Sequence, residues 1–142
     1  MFNEKWTLDR LNKMSKNNMT GHLGIEFIEI GKDFLKARMP VDERTCQPYG
    51  ILHGGASVTL AETIGSVSAL MCIDDSKYFC VGMEINANHL RKADSGYVVG
   101  KSIPLHVGRK SQVWQIEITN SDNKLVCISR ITMSVIEKGN EP

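Results

Sequence analysis

Residues 49–72 read YGILHGGASVTLAETIGSVSALMC, and the way this stretch folds decides how the rest of the chain is arranged. It opens on backbone without side chains at Gly54 and Gly55, then continues as an apolar run. Between positions 54 and 73 the one charged side chain is Glu62. A helix that is apolar on most faces belongs inside a protein, and a carboxylate in it is costly unless paired or used. The run approaches the length of a membrane span. Ser57, Thr59, Glu62, Thr63, Ser66 and Ser68 nevertheless make it too polar to stand alone in lipid. The expectation is a buried central helix.

Upstream, residues 7–16 (TLDRLNKMSK) predict a short helix, with Thr7 as N-cap and Leu8, Leu11 and Met14 on one stripe. Residues 17–21 are expected to break it. Residues 24–30 (GIEFIEI) alternate apolar and acidic side chains, the mark of a half-buried strand. A turn at 31–33 returns the chain as a second strand over 34–39, and a loop at 40–49 leads to the helix. Downstream, strands are predicted over 78–91, 96–106, 112–119 and 124–136. Turn residues separate them at 93–96, 108–110 and 120–123. The polar tail KGNEP at 138–142 is expected to fray. Two strands, one long buried helix and four further strands form an α+β pattern, with an antiparallel sheet wrapped around the helix.

At 142 residues the chain predicts a single domain over 1–142 with a substantial core. Seventeen basic residues against sixteen acidic ones leave no large electrostatic footprint for nucleic acid. Cys46, Cys72, Cys80 and Cys127 are widely spaced and form no zinc-binding pattern, so metal is not expected. The charged N-terminus lacks the apolar core of a signal peptide. Reduced thiols in a cytoplasmic protein with no membrane anchor follow as the expectation.

Four stretches, GHLGIEFIEIG, QPYGILHGGASVTLAETIGS, GMEINANHLRKA and PLHVGRKSQVWQIEI, resemble the hotdog-fold acyl-CoA thioesterases of the Arthrobacter 4-hydroxybenzoyl-CoA type. Within that family they are most similar to the branch that includes 1,4-dihydroxy-2-naphthoyl-CoA thioesterase of menaquinone biosynthesis. The likeness runs from about residue 7 to residue 135. It implies a hotdog fold, in which a curved antiparallel sheet wraps a long helix. It also implies an active site across a dimer interface, often within a dimer of dimers. By this resemblance Gly54 offers its backbone N–H to the thioester carbonyl, with Gln47 and His53 beside it. Glu62 is the catalytic carboxylate and Ser66 positions water. His89, Arg91, Arg109 and Lys110 fall where the family meets the CoA nucleotide. No metal or redox cofactor is implied, because coenzyme A is part of the substrate.

The chemistry asks for these residue types. Thioester hydrolysis develops negative charge on the carbonyl oxygen, and unpaired N–H groups at a helix N-terminus suit it. Glycine there lets a substrate approach the backbone closely. Glu62 serves either as general base for water or as a nucleophile that forms an anhydride; the sequence leaves both open. Gly54 and Glu62 are eight residues apart, about 12 Å along a helix. One carbonyl carbon does not easily meet both from a single chain, whereas two antiparallel helices from a pair of subunits bring them together. Ser66 follows Glu62 by one turn on the same face. Lys92, like Arg91, Arg109 and Lys110, is a candidate for the CoA phosphates. Met71, Met83 and Tyr49 line an acyl pocket or pack the core. The favoured substrate is an aromatic acyl-CoA; the alternatives are a thioesterase for other aromatic or medium-chain acyl-CoA or acyl carrier protein substrates, a dehydratase, which leaves the thioester intact, and a non-enzymatic acyl-CoA sensor. The helix start followed by a glutamate two turns later fits a thioesterase better than a dehydratase.

Overall fold

The computed structural model describes residues 1–139. The expected fraying of the tail falls largely on 140–142, outside the described residues. In chain order the elements are α1 (Leu8–Ser15), α2 (Met19–His22), β1 (Glu26–Ile30), β2 (Leu35–Pro40), α3 (Gly54–Met71), β3 (Tyr78–His89), β4 (Tyr97–Val107), β5 (Ser111–Thr119) and β6 (Leu125–Glu137). The strands form one antiparallel sheet in the order β1-β2-β4-β5-β6-β3. Helix α3 packs on β2, β3, β4, β5 and β6. This is the α+β arrangement expected, a long helix held by an antiparallel sheet.

Local chemistry sets the element ends. Thr7 caps α1 by accepting from the Arg10 N–H at 3.2 Å. The stretch expected to be a plain break holds a one-turn helix instead. Asn18 caps it through the Thr20 N–H at 3.1 Å, a role that asparagine fills well. The side chain of Asn12 then fastens α1 to the first strand, donating to the Phe27 carbonyl at 2.9 Å and accepting the Phe27 N–H at 2.8 Å. In the tight β5–β6 turn Asn123 adopts a left-handed φ of 60°, which asparagine tolerates.

The core lies between α3 and the sheet. Trp114, Ile116 and Ile118 on β5 are fully buried, and they alternate with half-buried Gln115, Glu117 and Thr119. Buried polar side chains under α3 pair with one another: the Ser68 hydroxyl meets the Ser102 hydroxyl at 2.8 Å, and Ser102 accepts the Leu35 N–H at 2.9 Å, whereas the buried Trp6 indole N–H has no hydrogen-bond partner among the described residues. Gln112 donates to the Ala69 carbonyl and accepts from the Trp114 indole at 3.0 Å. Met71 is core, whereas Tyr49 and Met83 are largely exposed, so core packing does not explain those two. The N-terminal arm closes the far end of α3. There Phe2 stacks on Trp114, the Asn3 N–H bonds the Met71 carbonyl at 2.9 Å, and Lys5 pairs with Asp75.

Helix α3 is buried as expected, most deeply on the side that faces the sheet. Ala56, Leu60, Ala61, Ile64, Gly65, Ser68 and Ala69 face the sheet. Val58, Glu62, Thr63, Ser66, Val67 and Leu70 are half-buried. Contact with the sheet is close at Gly65, where a Cβ would overlap Ile131 Cγ2. That methyl belongs to a stiff β-branched side chain with no exposure, so it cannot easily yield.

Gly65→Ala is expected to destabilise the protein by about 1 kcal/mol, because overpacking outweighs the gain in helix propensity. An unchanged or raised urea midpoint would contradict this packing. Asp42, Asp74 and Asp75 are held below the usual carboxylate range, chiefly by side-chain hydrogen bonds from Arg44, Ser76 and Lys5 respectively. The stability they lend is therefore present above that range and lost as pH falls through the depressed values. Melting temperatures should drop as the pH is lowered below about 4, the usual carboxylate range.

Candidate active site

The approach to α3 is a tethered loop. Asp42 and Arg44 form a salt bridge at 2.7 Å. Buried Thr45 donates its hydroxyl to the Pro40 carbonyl at 2.7 Å and its own carbonyl accepts the His53 N–H at 2.8 Å. Leu52 N–H bonds the Ala93 carbonyl at 2.7 Å. Between these anchors the chain turns at Gly50, whose φ of 77° favours glycine. Gln47 Oε1 accepts the Tyr49 N–H at 2.6 Å, so the donating NH2 end of its side chain remains free of that bond.

His53 is the N-cap of α3. Its Nδ1 accepts the Gly55 N–H at 2.8 Å, which in a neutral ring places the proton on Nε2. The carbonyl of His53 takes the N–H groups of Ala56 and Ser57. Among the described residues no acceptor meets the Gly54 N–H. That donor stands at the positive end of an 18-residue helix. On Gly54's open side lies the His89 ring: a Cβ at Gly54 would come within 3.0 Å of His89 Nε2.

Gln47, Gly54, His89 and Arg91 together line one cavity of about 420 Å³, completed by Leu52, Ser57, Leu90 and Lys92 among others. Four of the nine residues singled out from the sequence thus meet in one place. Arg91 sends its guanidinium to the Leu125 carbonyl at 2.5 Å and keeps no carboxylate partner among the described residues, while Lys92 pairs with Asp94 at 3.2 Å. His53 faces a neighbouring crevice with Arg44, Cys46 and Thr59. Ser57 is a lining residue that sequence reasoning passed over. Its position three residues after Gly54, on the same helical face, was the available signal.

Glu62 stands apart from that cavity, two turns along α3. Its Oε1 is 3.5 Å from the Ser66 hydroxyl, confirming the one-turn pairing, and Ser66 is 3.8 Å from Met133 Sδ. No lysine, arginine or histidine forms an ion pair with Glu62 among the described residues. Arg109 lines a separate cavity of about 360 Å³ with Cys72, Asp74, Tyr78 and Gln112, at the C-terminal end of α3, and Lys110 follows it in the same turn. One chain therefore does not bring Arg109 and Lys110 to the Gly54 end of the helix. Burial pushes the Cys72 and Cys80 thiols up to about 11, so both stay protonated near neutrality. No cluster of three or more metal-ligating side chains occurs among the described residues, and no helix is long and apolar enough to cross a membrane.

Comparison with known proteins agrees with this fold. Residues 49–127 match the Thioesterase superfamily. The chain is 52% identical over 136 residues to the 1,4-dihydroxy-2-naphthoyl-CoA hydrolase of Escherichia coli, covering 96% of this chain and 99% of that one. A thioesterase of Haemophilus influenzae superposes with a TM-score of 0.95 at 47% identity over 99% of each chain. A mutant thioesterase of Pseudomonas aeruginosa gives 0.94 at 46% identity, over 96% of this chain and 98% of that one. Sequence and fold agree over nearly the whole length, and the chain belongs to the thioesterase superfamily as a hotdog-fold thioester hydrolase.

Proposed function

We propose that this hydrolase cleaves an aromatic acyl-CoA, with 1,4-dihydroxy-2-naphthoyl-CoA favoured, to the free acid and coenzyme A. The name of the Escherichia coli relative supports the acyl group. The observation that carries the mechanism is the unpaired Gly54 N–H at the start of α3. In this reading it holds the thioester oxygen as negative charge develops there, with the helix dipole behind it and the Gln47 amide beside it. His53 keeps the helix start in shape by capping it. Glu62 either draws a proton from water or attacks the carbonyl carbon itself, and Ser66 orients the water. The thiolate of coenzyme A leaves in both cases. The reading asks for no metal or redox cofactor and places the protein in the cytoplasm, where its four free thiols stay reduced.

Gly54 and Glu62 serve one carbonyl only if two subunits share the site. Support comes from β3, a 12-residue strand at the sheet edge, bonded on one side to β6 and carrying exposed Val81 and Met83. Such an edge invites pairing with another strand. Two-fold pairing of β3 with its own copy would continue the sheet and set the two α3 helices antiparallel. Glu62 of the partner subunit then approaches Gly54, and Arg109 and Lys110 of the partner subunit join His89 and Arg91 near the CoA phosphates. The assembly is this dimer or a dimer of two such dimers.

Free-thiol release from a panel of aromatic and aliphatic acyl-CoAs tests the activity. Wild type should turn over the naphthoyl thioester fastest, and folded Glu62→Gln should lose at least about 100-fold in kcat. Full activity in that variant would remove Glu62 from the mechanism, and thioester left intact in a modified product would favour the dehydratase. Sharing of sites has its own test. Gly54→Pro removes the N–H while suiting the first helical position. Refolding it as an equal mixture with Glu62→Gln should recover about a quarter of wild-type activity, since half the dimers carry one intact site. No recovery in mixed dimers would place both groups in one subunit's site.

A further inference from the structure

Strand β3 carries a bulge that bears directly on Glu62. Its register against β6 runs Val81↔Ser134 and Gly82↔Met133, then resumes at Glu84↔Thr132, so Met83 is an extra residue. Before the bulge the even positions face α3: Cys80 packs on the core and Gly82 meets the Glu62 side chain. After it the odd positions do: Ile85 and Ala87 pack on the core and His89 covers Gly54. A regular strand would keep one parity throughout and turn one of these two sets outward.

At Gly82 the fit is tight. A Cβ built there would stand 2.7 Å from Glu62 Oε1, nearer than a methyl carbon and a carboxylate oxygen can approach. The carboxylate occupies the space that any other residue's side chain would fill. Its other restraint among the described residues is the long 3.5 Å contact with Ser66. The Gly82 backbone is thus a wall against which the carboxylate is set.

We propose that Gly82 is a positioning residue for Glu62: its missing side chain, on the α3 side of the Met83 bulge, leaves the site where the carboxylate must lie to act on the thioester. This rests on the reading of Glu62 as the catalytic carboxylate. Displacement of a reacting group by about 1 Å can cost on the order of 100-fold in rate. Gly82 is not among the residues that line the Gln47–His89 cavity of its own chain, and a methyl there removes none of the groups that hold the coenzyme A part of the substrate.

The test is Gly82→Ala in steady-state hydrolysis, with circular dichroism and light scattering to confirm fold and assembly. We expect kcat to fall between about 10- and 100-fold with KM changed by less than about twofold. Aspartate, one methylene shorter, should fit beside the new methyl. Glu62→Asp is therefore expected to cost much less in the Gly82→Ala background than in wild type, a non-additive cycle. Wild-type kcat in folded Gly82→Ala, or losses that simply multiply, would overturn the proposal. Should Gly82→Ala fail to fold, Gly82→Ala/Glu62→Ala decides. Recovered melting places the obstacle at the carboxylate, and unrecovered melting overturns the assignment. Glu62→Gln separates the two readings. If it is inactive while Gly82→Ala is fully active, only the positioning role fails. If it is fully active, the role of Glu62 itself fails.

Discussion

The close seating of α3 on the sheet is the constraint on which the rest of the molecule depends. Gly65 lets the helix meet Ile131, and on the facing strand Gly100 makes room for Ile64. Side chains at either glycine would push the helix outward. Sheet and helix then meet through Leu60, Ile64, Trp114, Ile116 and Ile131, all without exposure. At about 25 cal/mol per Å² of apolar surface removed from water, such a layer supplies most of the driving force for folding. It also holds the start of α3 rigidly, and a rigid helix start is what an oxyanion site needs.

The proposed chemistry uses the side of the helix that the sheet leaves open. Core residues on α3 face β2 to β6, while Glu62 and Ser66 lie on the half-buried stripe. The helix start is built so that three N–H groups are taken by His53, two through its carbonyl and one through its ring, while that of Gly54 is left over. An N-cap histidine therefore does structural work that leaves a donor available. The straight run of α3 from Gly54 to Met71 separates donor from carboxylate within one chain. In the proposed mechanism that separation keeps both from serving one carbonyl within one chain, which is the physical ground for proposing a site shared between subunits.

Much of this was legible in the linear chain. Alternation in 112–119 correctly put Trp114, Ile116 and Ile118 inside, since a strand with one buried face must repeat every two residues. The apolar run with one carboxylate located both α3 and Glu62. Periodicity was less informative where local hydrogen bonding competes with it. The one-turn helix at Met19–His22 depends on the Asn18 cap. Met83 and Tyr49 could not be sorted by sequence because both are apolar yet stand largely exposed.

By itself the sequence determined the element order apart from the one-turn α2, the buried helix with its single acid, the glycine-rich helix start and the family likeness. These follow from local patterning and from residue types at short spacing, which one chain carries in linear form. Tertiary structure decided which predicted residues meet. It gathered Gln47, Gly54, His89 and Arg91 at one end of α3 and set Arg109 at the other. It also placed Gly82 under Glu62 and, through the extra residue at Met83, turned His89 toward the helix start. A bulge is a property of how two strands pair, and β3 is separated from its partner β6 by residues 90–124, which hold β4 and β5. No local pattern encodes that register, because the partner that defines it is distant along the chain.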